Sequence, residues 1–267
     1  MNTNLLQKEL KRNRKNLITW SLIVTAFTAL VLGIFPFMSG MGDSITGLME
    51  NIPEELTKAM GMDANTWKNI LGFYSTYYGI YIILLVGIFS MSTGATIISK
   101  EERDRTSEFL YTRPISRASI FDTKIGALIG LMLIIDLIQT LVAVVLLATS
   151  DTDFSWGAFT IMHIHGIVLI FFFTAMGVLI SFFFRPKKNF MGPVVGVIFG
   201  SYFLNAVSKS AESIEWMGYI SPFRYLDFTP LDEHYEVNWI GLSCLVAIGC
   251  LLILIARRLF LKKDIQG

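Results

Sequence analysis

The chain alternates between long apolar runs and short polar segments, a pattern that predicts an all-α integral membrane protein. A transmembrane helix needs about 20 mostly apolar residues. Six runs meet or approach that length, at residues 17–38, 73–98, 124–148, 161–184, 191–207 and 239–256. The fifth run is short and rich in glycine, so its ends are the least well defined. We expect residues 1–267 to form a single transmembrane domain.

The segment before the first run mixes leucines with basic side chains over residues 4–16. This composition predicts a helix over residues 1–16 that lies in the membrane interface. A merely basic juxtamembrane segment is the alternative. The apolar run that follows is longer than the core of a cleaved signal peptide, which is about 7–15 residues. We therefore expect it to remain as a membrane anchor.

Charge is distributed unevenly between the segments that join the apolar runs. The chain is 53% hydrophobic and 16% charged, with a net charge of only +1. With both termini inside, 18 of the 22 Lys and Arg residues fall in inner segments, and 13 of the 21 acidic residues fall in outer loops. The positive-inside rule therefore predicts a multi-pass protein of the plasma membrane with both termini in the cytoplasm.

The most densely charged stretch, residues 100–117, separates the second and third runs. Glu101 and Arg105 form a favourable i, i+4 pair, and Pro114 excludes the residue before it from a helix. A short cytoplasmic helix is therefore predicted over about 100–111. A solvated loop would explain the basic residues alone. The acidic residues and an apolar pair among them favour a surface that docks a partner protein.

This stretch resembles the signature of the type-2 ABC export permeases, in which Thr-x-Glu-x-Leu and Pro-Ile-Ser-Arg follow an acidic-basic helix. Arg105 stands where that family usually has glycine. The basic start, the six-span layout and Ser221-Pro222-Phe223 also match the family pattern, so the resemblance covers most of the chain. It implies a coupling segment over 100–117 that rests on an ATP-hydrolysing subunit, and a re-entrant outer segment within 208–238. The coupling residues that it implies are Glu101, Glu102, Arg103, Arg105, Thr106, Glu108, Phe109, Leu110, Pro114 and Arg117.

The chain has no Gly-x-x-x-x-Gly-Lys-Ser/Thr loop to hold ATP phosphates. We therefore expect no cofactor and no catalysis on this chain, with ATP and magnesium bound by separate ABC ATPase subunits. The resemblance implies a complex of two permeases and two ATPases, in which the second permease is either an identical copy or a related chain. Membrane lipids are the other expected partner, and no nucleic acid is expected.

Asp136 is the only ionisable residue deep in a predicted span, and Gln139 lies one turn away. An unpaired carboxylate at that depth costs about 2.5–3.5 kcal/mol on insertion scales. Asp136 must therefore face a cavity, find a hydrogen-bonding partner or be protonated. It is predicted either to line the substrate pathway or to form a structural hydrogen bond with another helix, for instance with Asn205 or a tyrosine. His163 and His165 point to different helix faces, so no metal site is predicted.

The second run opens with four tyrosines at i, i+3, i+4 and i+7, a spacing that places them on one helix face. They are Tyr74, Tyr77, Tyr78 and Tyr81. An aromatic belt at the outer membrane interface is one interpretation. The other is a lining of the substrate pathway, because related exporters line it with helices 2 and 5.

The fifth run carries Gly192, Gly196 and Gly200, one on each successive turn. Small residues at this spacing let helices approach closely. The predicted role is packing, either within the chain or across a permease dimer.

Cys244 and Cys250 lie six residues apart on the last predicted helix, a spacing that argues against a mutual disulfide. They are predicted to be small buried apolar side chains.

The function predicted from these features is that of an exporter permease subunit. Its substrate would be a hydrophobic or amphipathic drug, peptide or lipid, moved by alternating access. The alternatives are an ABC system for an ion, a stand-alone secondary transporter and a membrane-embedded enzyme. The absence of a catalytic residue pair in the sequence argues against the enzyme, and the absence of a convincing inverted repeat argues against the secondary transporter.

Overall fold

The computed structural model describes residues 2–41, 47, 69–104, 106, 114–150, 152–183, 190–226 and 237–262, which form helices joined by turns. Six of its helices are long and apolar enough to cross a membrane. They are α1 (Thr3–Gly40), α2 (Ile70–Arg103), α3 (Arg117–Ala148), α4 (Trp156–Ile180), α5 (Met191–Ser208) and α6 (Trp239–Lys262). The predicted all-α fold with six spans is therefore confirmed.

Polar side chains set the starts of the first four helices. The caps are Asn2, Asn69, Ser116 and Ser155, and each side-chain oxygen accepts a backbone hydrogen bond of 2.8–3.3 Å from the following turn. Such caps satisfy amides that have no partner within the helix. They extend the helices beyond the apolar runs, so α3 begins at Arg117 although its apolar run begins at residue 124.

Helix α1 is continuous from Thr3 to Gly40. At 1.5 Å per residue its 38 residues span about 57 Å, nearly twice the thickness of the hydrocarbon core. The predicted interfacial helix over 1–16 and the predicted first span are therefore one helix. Leu5 and Glu9, near its start, are both buried. The interfacial position of this first part stays a prediction.

Helix α2 lies at the centre of the bundle. Its most apolar stretch is 83% buried, against 22% for the corresponding stretches of α5 and α6. Two glycines allow α2 and α4 to touch backbone to backbone. A Cβ atom on Gly94 would lie 2.8 Å from the Thr174 carbonyl oxygen, and one on Gly177 would overlap the Met91 carbonyl. The sequence analysis did not single out these glycines, which lie where α2 and α4 meet.

The predicted packing glycines of α5 have a different environment. No atom lies within 4 Å of a Cβ built on Gly192, Gly196 or Gly200, so within the described residues they pack against nothing.

The two cysteines of α6 are free but exposed, so the prediction of buried side chains was wrong. The physical reason is that α6 contacts the bundle along one narrow face only, with Leu245 and Ala256 among its few buried residues.

The end of the bundle that holds Thr3, Arg103 and Arg117 is called the inner end below, because it is the end predicted to face the cytoplasm. An apolar cluster of its own fills this end, with Leu5, Ile97, Ile120, Phe121 and Phe260 among its members. It joins the first turns of α1 and α3 to the last turns of α2 and α6. The parts of the chain nearest the predicted coupling segment are therefore held together by buried apolar contacts.

Candidate functional site

Polar side chains from α2, α3 and α4 meet in the opposite, outer half of the bundle. The Gln139 amide donates a 2.5 Å hydrogen bond to the Tyr74 hydroxyl. The Thr140 hydroxyl lies 3.0 Å from His163 Nδ1, and the Tyr74 hydroxyl lies 3.4 Å from His163 Nε2. Tyr74, Gln139 and His163 are all almost fully buried. Two predicted pathway residues, Tyr74 and Gln139, are thus brought together, and His163 joins them.

Asp136 lies one turn before this cluster and is 6% exposed. Within the described part of the chain it forms no hydrogen bond and no ion pair, so the alternative of a bond with Asn205 is not observed. Instead it lines a pocket of ≈ 390 Å³ between α3 and α4. Thr140, Phe159 and His163 line the same pocket.

The four predicted tyrosines do not share one face, and that part of the prediction was wrong. Tyr74 and Tyr78 are fully buried towards α4, where the Tyr78 ring lies 4.6 Å from the ring of His163. Tyr77 stacks on Tyr81, which contacts Phe27 of α1 at a centroid distance of 5.4 Å and is 47% exposed. Tyr74 and Tyr77 both lie in the α-helical part that precedes the π-helical turn over Tyr78–Ile82, so the division begins before that turn.

A second polar group lies at the inner end and consists of Glu9, Lys100, Glu101 and Lys124, here called the inner charge cluster. The Lys124 ammonium lies 2.6 Å from Glu101 and 3.3 Å from Glu9, and it also donates to the Ile97 carbonyl at 2.6 Å. Lys100 pairs with Glu9. All four side chains are buried, so ion pairs shielded from water connect α1, α2 and α3.

The rim of this cluster is more exposed. Arg12 pairs with Asp104 and lies 3.6 Å from Glu101. The first part of α1 is thereby attached to the point at which α2 ends.

The residues of the predicted coupling segment have different positions in the structure. Residues 101–103 form the last turn of α2 and do not begin a separate helix. The Thr106 amide donates to the Glu101 carbonyl at 2.8 Å. Pro114 precedes α3, which Arg117 begins. Four residues lie outside the described part of the chain, namely Arg105, Glu108, Phe109 and Leu110.

The Ser-Pro-Phe motif is anchored between α4 and α5. Ser221 donates a 2.7 Å hydrogen bond to the Ser201 carbonyl. The ring of Phe223 lies 5.8 Å from Phe173 and 5.7 Å from Tyr202. The motif opens a short 3₁₀ helix over Pro222–Tyr225. Its predicted re-entrant position in the membrane stays a prediction.

A longer 3₁₀ helix, Glu212–Ile220, precedes this motif and is joined to it by Arg224. The guanidinium donates to Glu215 at 2.5 Å and lies 4.1 Å from the centre of the Tyr219 ring. The hydrogen bond with Glu215 raises the pKa of Arg224 above its ordinary value. The arginine thus stays charged at any physiological pH and holds the two short helices together.

The family model for ABC-2 family transporter proteins matches residues 3–265. The chain belongs to the ABC-2 transporter family. This confirms the resemblance that the charged motif carried, and it identifies the chain as a multi-pass membrane permease component of an ABC system. Permeases of this family are generally not catalytic, associate with an ABC ATPase and are typically dimeric. No curated protein matches this ABC-2 protein significantly.

Sequence reasoning missed four residues that the structure places in these clusters. His163 was considered only as a metal ligand, whereas it hydrogen-bonds with Thr140 of α3. Glu9, Lys100 and Lys124 were not considered as a site. One signal was available, because Glu9 is the only acidic residue before Asp43 and lies in a strongly basic segment.

Proposed function

We propose that this ABC-2 transporter protein is the permease subunit of an ATP-driven exporter of the plasma membrane. It moves a hydrophobic or amphipathic drug, peptide or lipid out of the cytoplasm by alternating access. Both termini face the cytoplasm, and separate ATPase chains bind ATP and magnesium. The permease acts as a dimer with a second copy or with a related chain.

The inner charge cluster is the observation that carries this proposal. Charges that are buried together interact strongly, because the surroundings screen them less than water does. Glu101 lies at the start of the predicted coupling segment, Lys124 lies seven residues after its end in α3, and Glu9 brings in α1. A movement of the ATPase against residues 100–117 would therefore displace three spans as one unit.

Helix α2 connects this cluster with the polar cluster in the outer half. Glu101 and Tyr74 are separated by 27 positions along it, about 40 Å at 1.5 Å per residue. The π-helical turn lies next to Tyr74, and such turns often mark functional positions in helices. We propose that α2 transmits displacement at the inner end to the region where the substrate binds.

The experiment that tests this function is affinity purification of the tagged chain from native membranes in mild detergent, followed by mass spectrometry. An ABC ATPase should co-purify in about equal amount. The double variant Glu108→Ala, Phe109→Ala should lose it, because these residues lie in the middle of the coupling segment. The matched control is Glu212→Ala on the exposed outer 3₁₀ helix, which should retain the ATPase.

A chain that purifies without any ATPase under mild conditions would refute the exporter and favour a stand-alone secondary transporter. Retention of the ATPase by the double variant would instead refute the proposed coupling surface.

A further inference from the structure

The pocket between α3 and α4 holds a carboxylate that no described residue neutralises. Asp136 is 6% exposed and has no hydrogen-bond or ion-pair partner among the described residues. The polar groups beside it are engaged elsewhere, since Gln139 donates to Tyr74 and Thr140 bonds with His163. An unpaired carboxylate in apolar surroundings is costly, so the pocket is suited to a group that supplies positive charge.

The two helices that form the pocket supply no such charge at this depth. The sequence has no Lys or Arg between Lys124 and Arg185, a stretch that includes nearly all of α3 and the whole of α4. Lys124 lies 12 positions before Asp136, about 18 Å along the helix, and is held in the inner charge cluster. A cationic molecule that enters the pocket would supply the counter-charge that these helices lack.

The remaining walls also suit a cation attached to an apolar body. The ring of Phe159 lines the pocket and packs 4.3 Å from the ring of His163, so aromatic faces stand close to the carboxylate. Aromatic faces attract cations through their quadrupole. A volume of ≈ 390 Å³ falls within the range that small ligands occupy.

The mouth of the pocket opens on the side of the bundle. Leu133, Leu137 and Ile164 line it and are 46%, 57% and 44% exposed. All three belong to the apolar parts of α3 and α4, so we expect them to face the hydrocarbon region where these helices would cross the membrane. A molecule dissolved in the bilayer can therefore reach Asp136 without passing through water.

We propose that this pocket binds an amphipathic cation that enters laterally from the lipid, with Asp136 as its counter-ion. The inference rests on the proposed export function in one respect, because it names the substrate class of that exporter. Binding itself does not require the ATPase, so it is tested on the permease alone.

The test is equilibrium binding of radiolabelled tetraphenylphosphonium to the purified chain in lipid nanodiscs, with empty nanodiscs as background. Binding should saturate, and dodecylammonium should displace it. Triphenylphosphine oxide, which has the phenyl groups without the charge, should not. Asp136→Asn should weaken binding at least about ten-fold, as expected when a close opposite charge is lost in a partly buried site.

Two further variants separate loss of charge from loss of fold. Asp136→Glu retains the charge and should keep the affinity within about three-fold, or half a power of ten. Asp122→Asn is the matched control, because it removes a carboxylate from the same helix at an exposed position that pairs with Arg257. It should leave binding unchanged.

Absence of saturable binding above the nanodisc background would overturn the inference, as would equal affinity of the wild type and Asp136→Asn. Its failure is distinguishable from failure of the exporter. Charge-dependent binding by a chain that captures no ATPase would leave the cation pocket standing and refute the exporter. Capture of an ATPase without cation binding would refute the cation pocket and leave the exporter standing.

Discussion

Replacing Lys124 with methionine tests whether the inner charge cluster holds the inner end together. The substitution keeps most of the side-chain volume and removes the charge. Lys124 is about 1% exposed, and its ammonium contacts Glu101, Glu9 and the Ile97 carbonyl. The variant leaves two buried carboxylates with less positive charge between them, so we expect a marked loss of stability.

The size of this loss of stability depends on which positive partners Glu9 and Glu101 keep in the variant. Removing one partner of a buried ion pair costs about 3–5 kcal/mol, because the other charge stays buried. Here Glu9 keeps Lys100, and Glu101 keeps Arg12 at 3.6 Å, which favours the lower end of that range. A loss of about 3 kcal/mol corresponds to a decrease of roughly 6–12 °C in the unfolding midpoint of a chain of this size.

The assay is thermal unfolding of the purified protein in one detergent, followed by intrinsic tryptophan fluorescence. Arg257→Met is the matched control. Its guanidinium lies 2.8 and 3.2 Å from the two oxygens of Asp122, but the two side chains are 36% and 47% exposed. Exposed pairs contribute little to stability because water screens them, so its midpoint should change much less than that of Lys124→Met.

A double variant identifies the uncompensated charge. Adding Glu101→Gln to Lys124→Met removes one of the two carboxylates that lose Lys124 as a partner, and it should recover part of the lost stability. Equal midpoint shifts for Lys124→Met and Arg257→Met would refute the reasoning. They would mean that burial gives the cluster no greater weight than a surface ion pair.

Three further outcomes are expected. Gly177→Leu should abolish the folded, monodisperse protein on size-exclusion chromatography, because the new side chain would overlap the Met91 carbonyl. The control Gly196→Leu should retain the folded protein, because no described atom lies within 4 Å of a Cβ at this position. Arg12→Ala should leave the fold intact but reduce the substrate-stimulated ATPase activity of the reconstituted complex, because it removes the ion pairs that join α1 to Glu101 and Asp104 at the end of α2. Unchanged stimulation would contradict this role. Asp136→Asn should lower transport in vesicles at equal expression, and unchanged transport would remove this carboxylate from the pathway.

The sequence was sufficient for the six spans, because the runs of about 20 apolar residues that cross a bilayer leave few alternatives. The sequence was not sufficient to predict which face of each helix is buried. Helix faces that contact lipid and helix faces that contact protein are equally apolar. The sequence therefore does not distinguish the exposed Cys244 from the buried Gly177. The π-helical turn over Tyr78–Ile82 carries no evident sequence signature either.

The inner charge cluster shows a different gap between sequence and structure. Positive-inside reasoning counts Lys100 and Lys124 as solvated cations that orient the chain, and their positions at helix ends agree with that use. The partner Glu9 lies 91 residues from Lys100 along the chain, so only the packing of α1 against α2 and α3 brings the charges together. In the proposed coupling, orientation and coupling draw on the same residues. We expect a change at Lys124 to act both on the stability of the bundle and on its proposed link to the ATPase, so the two effects are separated only by measuring the midpoint and the stimulated ATPase activity on the same purified variant.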